Sequence, residues 1–166
     1  MAEEATPFSV LLAGYGTTAI GQGLRVESVF ALLKVRAEDG SPAWLVRSGG
    51  LPLSPEELLG VLDGLTTSMR HRLTMAWRRQ SPPASPGGPS ARMQFSELLA
   101  GLDTVGVGDA YLIASVFAVI KARRVDDTPA WFVRSSEMKL NPEERLGAIE
   151  GYAATVRQGL AETWKW

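Results

Sequence analysis

The chain has 166 residues, a formal net charge of −1, 45% hydrophobic residues and 21% charged residues. This composition is typical of a globular protein with one domain or two small ones, and it excludes a disordered or collagen-like chain. The lack of cysteine excludes disulfides and thiolate metal sites, and the single histidine excludes a site built from several histidines. The near-neutral charge removes any general electrostatic attraction to nucleic acid or to an anionic membrane.

Neither a targeting segment nor a membrane span is recognisable in the sequence. Glu3 and Glu4 are acidic where a signal peptide needs positive charge. The most apolar run, at 111–120, has half of the roughly 20 residues that a membrane-spanning helix needs. We therefore expect a cytoplasmic protein without membrane contact.

An internal repeat organises the chain. Residues 8–77 align without a gap with residues 95–164, at a constant offset of 87 positions (95 − 8 = 87). The residues are identical at 31 of the 70 aligned positions, which indicates a duplication. Between the copies, the run SPPASPGGPS is typical of a linker. We predict a disordered N-terminus at 1–7, repeat one at 8–77, a Pro/Gly/Ser-rich linker at 78–94 and repeat two at 95–164.

The start of each repeat is the least defined part of the pattern. FSELLAG, from Phe95, predicts a short helix capped by Ser96, whereas the matching residues 8–14 fit a helix or a strand. The glycine-rich run at 14–23 lacks the spacing of a P-loop or a Rossmann loop, so it indicates a turn, a bulge or a short strand.

A β-hairpin follows in each repeat. Segments 26–36 and 42–47 are rich in Val, Phe and Leu and flank Asp-Gly, a hairpin turn signal, and 113–123 and 129–134 repeat them.

The pairing of the two strands depends on the turn. A two-residue turn pairs Val35 with Trp44, and Ala122 with Trp131 in the second copy. One face is then wholly apolar and carries both tryptophans into the core.

A long helix ends each repeat. Ser54-Pro-Glu-Glu and Asn141-Pro-Glu-Glu each supply a helix cap, a proline at the first helical position and acidic residues in the first turn, and apolar residues follow at helical spacing. Two glycines four residues apart recur on each helix, at Gly60, Gly64, Gly147 and Gly151. Since glycine disfavours helix, we expect these positions to admit a close neighbour, either the other helix or the sheet.

The predicted fold class is α+β, with two tandem repeats. Each repeat is an antiparallel hairpin or small sheet followed by a long helix. A 70-residue unit has a marginal core, so we expect the repeats to pair as a pseudo-twofold intramolecular dimer, the alternative being two independent domains.

No motif indicates catalysis. His71 has no serine or carboxylate placed beside it by a known motif. The pairs Glu56/Glu57 and Glu143/Glu144 lie in first helical turns, where the helix dipole favours negative charge. We therefore expect a protein that is not an enzyme and that has no cofactor, metal or catalytic residue.

The sheet face opposite the apolar one combines aromatic and cationic residues in both copies. Such a face is typical of single-stranded nucleic-acid binding, in which rings stack on bases and cations contact phosphates. The alternative is a solvated face whose phenylalanines are covered by a loop or by the other repeat. The candidate binding residues are Phe30, Lys34, Arg36, Arg47, Phe117, Lys121, Arg123 and Arg134.

A hairpin that leads through LPLSPEEL (51–58) or MKLNPEER (138–145) into a long helix resembles the positive-cofactor-four and Whirly proteins. These are single-stranded DNA binders built from sheet-plus-helix units that pair about a twofold axis. The resemblance implies that the curved sheets hold the strand. It also implies a phosphate-binding role for Lys34, Arg36, Arg47, Lys121, Arg123 and Arg134.

Two functional hypotheses follow. The first is single-stranded nucleic-acid binding by the sheet faces of the duplicated unit. The second is a protein–protein interaction module, such as a chaperone or an assembly scaffold, that receives a partner segment by strand addition at an exposed sheet edge.

Overall fold

The computed structural model describes residues 5–79, 92–136 and 141–163. It confirms an α+β protein, with four helices and three antiparallel sheets in the described residues. The elements are β1 (Ala5–Pro7), α1 (Phe8–Leu11), β2 (Gly16–Thr18), β3 (Arg25–Ala37), β4 (Pro42–Gly50), α2 (Pro55–Arg79), β5 (Arg92–Gln94), α3 (Phe95–Leu98), β6 (Asp103–Val105), β7 (Tyr111–Arg123), β8 (Pro129–Ser135) and α4 (Pro142–Thr163).

The chain divides into two compact units, and neither is a repeat. One unit, Met1–Pro52 with Pro89–Lys139, holds all the strands and the two short helices, and the other, Leu53–Gly88 with Leu140–Trp166, holds the two long helices. The predicted tandem of a hairpin grouped with its own helix is therefore not what the structure displays.

The predicted boundaries also shift within the described residues. Residues 5–7 of the expected disordered terminus form β1, and α2 extends to Arg79, inside the expected linker. Residues 92–94 of that linker form β5. The rest of the predicted linker, 80–91, lies outside the described residues, as do 1–4 and the end of repeat two at Trp164.

A four-stranded antiparallel sheet in the order β4-β3-β7-β8 is the centre of the first unit. Its two middle strands come from different repeats and pair so that Ala31 lies opposite Ala118, the residue that aligns with it in the repeat. Two small sheets connect each repeat to the segment that precedes the other, because β1 pairs with β6 of repeat two and β5 pairs with β2 of repeat one. The backbone N–H of Phe8 donates to Leu102 O at 2.9 Å, and that of Phe95 donates to Tyr15 O at 2.8 Å.

Both hairpins turn through three residues, and this corrects the predicted register. In the first, the N–H of Ala37 donates to Ser41 O at 2.9 Å, which leaves three residues in the loop. The last of them, Gly40, has a φ of 82°. Trp44 therefore lies opposite Lys34 rather than Val35, and Trp131 lies opposite Lys121 rather than Ala122. The prediction was wrong by one residue, which moves each tryptophan to the other face of the sheet.

The core of this unit lies on the sheet face that contains Val29, Ala31, Leu33 and Val35 of β3. The equivalent face of β7 adds Val116, Ala118 and Ile120, and the segments before the hairpins add Phe8, Leu12, Phe95 and Leu99. All of these side chains are at most 1% exposed. Burying one such large apolar side chain stabilises a fold by roughly 1.5–3 kcal/mol. Leu45 and Phe132 pack against this core, in the place predicted for the tryptophans.

The second unit is an antiparallel pair of long helices. The predicted caps are present, because Ser54 Oγ accepts the N–H of Glu57 at 3.1 Å and Asn141 Oδ1 accepts that of Glu143 at 2.9 Å. Leu62, Ile149 and Ala153 are buried.

Two ion pairs connect the helices. Arg70 pairs with Glu150, and Arg157 pairs with Asp63. Moving from Asp63 to Arg70 along α2 corresponds to moving back from Arg157 to Glu150 along α4. The two helices therefore run in opposite directions.

The helix glycines do not mark close packing. Gly60, Gly64, Gly147 and Gly151 are exposed, and a Cβ added at any of them would meet no atom within 4 Å. The expectation that they admit a close neighbour is therefore wrong for the described residues.

Candidate binding surface

The two phenylalanines of the predicted binding face are buried. Phe30 on β3 and Phe117 on β7 are each 1% exposed. They share the sheet face opposite the core cluster, because Phe30 pairs with Val119 and Phe117 with Leu32. A ring in such a position cannot stack on a base unless the chain rearranges, so the expectation of exposed rings is wrong.

Arg47 and Arg134 bind the protein backbone. Arg47 lies opposite Ala31, on the core-side face, because of the one-residue change in register. Its guanidinium donates from Nε to Val105 O and from Nη2 to Gly106 O, both at 2.9 Å, and from Nη1 to Val46 O at 2.8 Å. It therefore fastens the outer strand of one repeat to a segment of the other.

Arg134 repeats this arrangement in the second copy. It donates to Val133 O at 2.8 Å and to Ala19 O at 2.9 Å, and its guanidinium lies 5.5 Å from the ring centroid of Phe132. Burial lowers the pKa of Arg134 from its ordinary value, because desolvation disfavours the charged form.

Arg123 is held by acidic partners, whereas Arg36 is exposed. Arg123 Nε donates to a carboxylate oxygen of Glu27 at 2.9 Å, and Nη1 donates to Asp127 O at 2.9 Å. The hydrogen bond from Arg123 is the main cause that lowers the pKa of Glu27 below its ordinary value. Of this pair of equivalent arginines, Arg36 is the one whose position fits contact with an external ligand.

Each remaining cation of the predicted face lies beside a tryptophan. Lys34 is opposite Trp44, and Lys121 is opposite Trp131. Lys121 Nζ lies 5.6 Å from the ring centroid of Trp131, within the range of a cation–π contact. All four side chains are half-buried.

The outermost strands, β4 and β8, form the two edges of the central sheet. Each carries three consecutive half-buried apolar residues: Trp44, Leu45 and Val46 in β4, and Trp131, Phe132 and Val133 in β8. Hydrogen-bonded and non-hydrogen-bonded pairs alternate along an antiparallel ladder, and Ala37–Ser41 is a hydrogen-bonded pair. Every second residue after Ser41 therefore faces β3, and the backbone N–H and C=O groups of residues 44 and 46 point away from it. Within the described residues, no strand pairs with the outer side of β4 or β8.

Sequence reasoning misses the tryptophan–lysine pairs, because a two-residue turn, the length that Asp39-Gly40 favours, pairs the tryptophans with Val35 and Ala122 instead. The sequence does contain a signal for a three-residue turn, an aspartate two residues before a hydroxyl residue in both copies. Ser41 N–H donates to Asp39 Oδ1 at 2.9 Å, and Thr128 N–H donates to Asp126 Oδ1 at 3.1 Å. Such Asx turns are the one local sequence feature that accompanies the three-residue loop in both copies.

Comparisons with protein-family models, with curated proteins and with solved structures give no match to this chain. In the described residues, no helix is both long enough and apolar enough to cross a membrane.

Proposed function

We propose that the chain is a duplicated, non-enzymatic protein-interaction module, which binds an extended peptide segment by strand addition at β4 or β8. A cytoplasmic location, expected from the sequence, belongs to this proposal. The two repeats pair about a pseudo-twofold axis. The antiparallel pairing of the equivalent residues Ala31 and Ala118 supports this symmetry. The two small sheets support it as well, because with the offset of 87 the β1–β6 pair is equivalent to the β5–β2 pair.

The helical unit supports the same symmetry independently. With the offset of 87, Asp63 aligns with Glu150 and Arg70 aligns with Arg157. The ion pair between Arg70 and Glu150 is therefore the counterpart of the one between Arg157 and Asp63.

The carrying observation for peptide binding is the apolar, outward-facing edge of β4 and β8. An edge strand presents unpaired backbone donors and acceptors to any extended chain beside it. Long, apolar edges favour such pairing, and natural proteins commonly block them with charge. Residues 43–46 and 130–133 carry no charged side chain.

The ends of these strands limit where a peptide can lie. Arg47 and Arg134 bind carbonyl groups of neighbouring segments and also the carbonyl groups of Val46 and Val133 on the edge strands themselves. Thr17 Oγ1 donates to Ser135 O at 3.0 Å. The proposed docking stretch is therefore the first half of each strand, next to the hairpin turn.

The test is a backbone scan of a selected peptide. A library of extended peptides is selected against the full chain, and each amide of the best binder is then methylated in turn. Strand addition requires that only every second amide faces the protein, so affinity should fall with a period of two, by about tenfold at each sensitive position. The Leu112→Ala variant, changed at a residue that is 76% exposed and outside both edges, should bind as well as the unmodified chain. A uniform loss, or no selected peptide, would contradict the proposal.

Single-stranded nucleic-acid binding, as implied by the resemblance to the positive-cofactor-four and Whirly proteins, is the second candidate function. The observation that favours it is the pairing of a lysine with a half-buried tryptophan in both repeats, at Lys34/Trp44 and Lys121/Trp131. Affinity for a labelled oligonucleotide at two salt concentrations tests it, since phosphate contacts weaken as salt rises. If the oligonucleotide does not bind at low salt, this candidate is excluded.

A further inference from the structure

A cavity of about 310 Å³ lies at one end of the central sheet, between the start of β3 and the β7–β8 turn. Its lining is unusual for a chain with a net charge of −1, because half of the lining residues are arginines. The lining residues are Gly23, Arg25, Arg123, Arg124, Val125 and Asp127.

The arginines are concentrated by the strand pairing. Arg25 lies directly opposite Arg123 in the β3–β7 ladder, and Arg124 follows immediately after the end of β7. Like charges placed opposite each other across two strands destabilise a sheet unless an anion compensates them. Glu27 supplies part of that compensation through its ion pair with Arg123 at 2.9 Å. Within the lining itself, three guanidinium groups face the one carboxylate of Asp127, while the carboxylates of Glu27 and Asp126 lie beside Arg123 and Arg124.

The duplication does not explain this cluster. With the offset of 87, Arg25 aligns with Leu112, and Arg124 aligns with Ala37. The other end of the sheet therefore retains only Arg36, the counterpart of Arg123. Two arginines have accumulated at one end alone, which indicates a property of that end and not of the repeat.

We propose that this cavity binds a phosphate group, supplied by inorganic phosphate or by a small phosphomonoester. Guanidinium groups suit this ligand because their planar N–H donors match two phosphate oxygens at once. Arg25 and Arg124 are exposed and are the primary ligands, while Arg123 is oriented by Glu27 and completes the positive wall. This inference does not depend on peptide binding at the sheet edges.

The test is titration of the full chain at low ionic strength with inorganic phosphate and separately with phenyl phosphate. Calorimetry should give saturable binding of one ligand per chain. The Arg25→Ala/Arg124→Ala variant should bind roughly tenfold or more weakly, and the corresponding double lysine variant should be intermediate because an ammonium group does not bind in the bidentate manner. Arg72→Ala, at an exposed arginine of α2 that does not line the cavity, is the matched control and should leave the affinity unchanged. Arg123 is kept, because its loss would leave Glu27 without its partner.

A readout on the unmodified chain makes the test independent of variant folding. The Nε–H NMR signals of Arg25 and Arg124 should shift with phosphate and saturate at the same concentration as the calorimetric signal. Binding of phenyl phosphate identifies a phosphomonoester ligand, whereas binding of inorganic phosphate alone identifies free phosphate. Non-saturable binding, unshifted arginine signals, or equal affinity in the double alanine variant would overturn the proposal. So would a chain that binds only an oligonucleotide, since that outcome indicates general attraction of a polyanion.

Discussion

Replacement of Arg47 by alanine should destabilise the protein, because this side chain fastens an outer strand to the other repeat. Its guanidinium donates three hydrogen bonds to backbone oxygens, those of Val46, Val105 and Gly106, at 2.8–2.9 Å. A hydrogen bond to a charged group contributes about 1.5–3 kcal/mol, and a freed carbonyl that stays buried costs about 1–3 kcal/mol. Arg47 is only half-buried, so water can reach part of the site. We therefore expect a loss of about 2–3 kcal/mol, below the sum of three separate bonds.

Urea denaturation of the full chain measures this loss as a shift of the midpoint at constant slope. Lysine at position 47 should restore only a small part of the stability, because one ammonium group cannot replace the three divergent contacts of the guanidinium. Arg36→Ala, which removes an exposed arginine two positions from Lys34, should change stability by less than about 0.5 kcal/mol.

The same variant separates two roles of Arg47. A phosphate-binding role, as the family resemblance implied, requires Arg47→Ala to lose oligonucleotide affinity and keep its stability. A role in fastening the outer strand requires Arg47→Ala to lose stability and keep whatever oligonucleotide affinity the original protein has. If the free energy of unfolding of Arg47→Ala falls within about 0.5 kcal/mol of the original, the fastening argument is refuted.

Three further predictions concern the register, the helix surface and acid stability. The double variant Lys34→Cys/Trp44→Cys should form a disulfide on mild oxidation, because residues opposite each other at a non-hydrogen-bonded position lie about 4.5 Å apart. The control Val35→Cys/Trp44→Cys should stay reduced, and thiol titration distinguishes the two outcomes. Gly64→Ala should stabilise the protein by about 0.5–1 kcal/mol in thermal unfolding, since the added methyl group meets no atom; a lower melting temperature would contradict this. The pKa of Glu27 in the folded protein is below its ordinary value, so its ion pair stabilises the fold at any pH above the pKa that Glu27 has in the unfolded chain. This stabilisation is lost as the pH falls through the pKa of Glu27 in the folded protein. The Glu27→Gln variant should lack this part of the acid dependence in urea midpoints measured across that range.

The elements whose signals are local in sequence were predictable. The caps at Ser54 and Asn141 and the two hairpins appear where the pattern indicated. The strand register was not predicted correctly, because it depends on one residue of turn length. In the second turn, Asp127 adopts a φ of 68°, a conformation that the sequence did not suggest for a residue other than glycine.

The parts that depend on contacts between the repeats could not be predicted. Strand β1 is three residues long and is defined only by its pairing with β6, which lies about a hundred positions later. Phe30 and Arg47 are residue types that are common on binding surfaces. Only the three-dimensional structure reveals that Phe30 is buried and that Arg47 binds carbonyl groups. For this reason the sequence indicated the type of surface but not the residues that form it.

The pairing of β3 with β7 also sets an order of events during synthesis. When β3 (Arg25–Ala37) has left the ribosome, its inner edge has no partner until β7 (Tyr111–Arg123) is made, 86 residues later (123 − 37 = 86). The apolar face around Val29 meanwhile lacks the part of its packing that Phe95 and Leu99 supply. At about 5–20 residues per second, that interval is roughly 4–17 s. An unpaired apolar strand is prone to pair with other chains during such a delay. A newly made first repeat is therefore the form of this protein that most needs protection from aggregation, and slower translation of the second repeat lengthens its exposure.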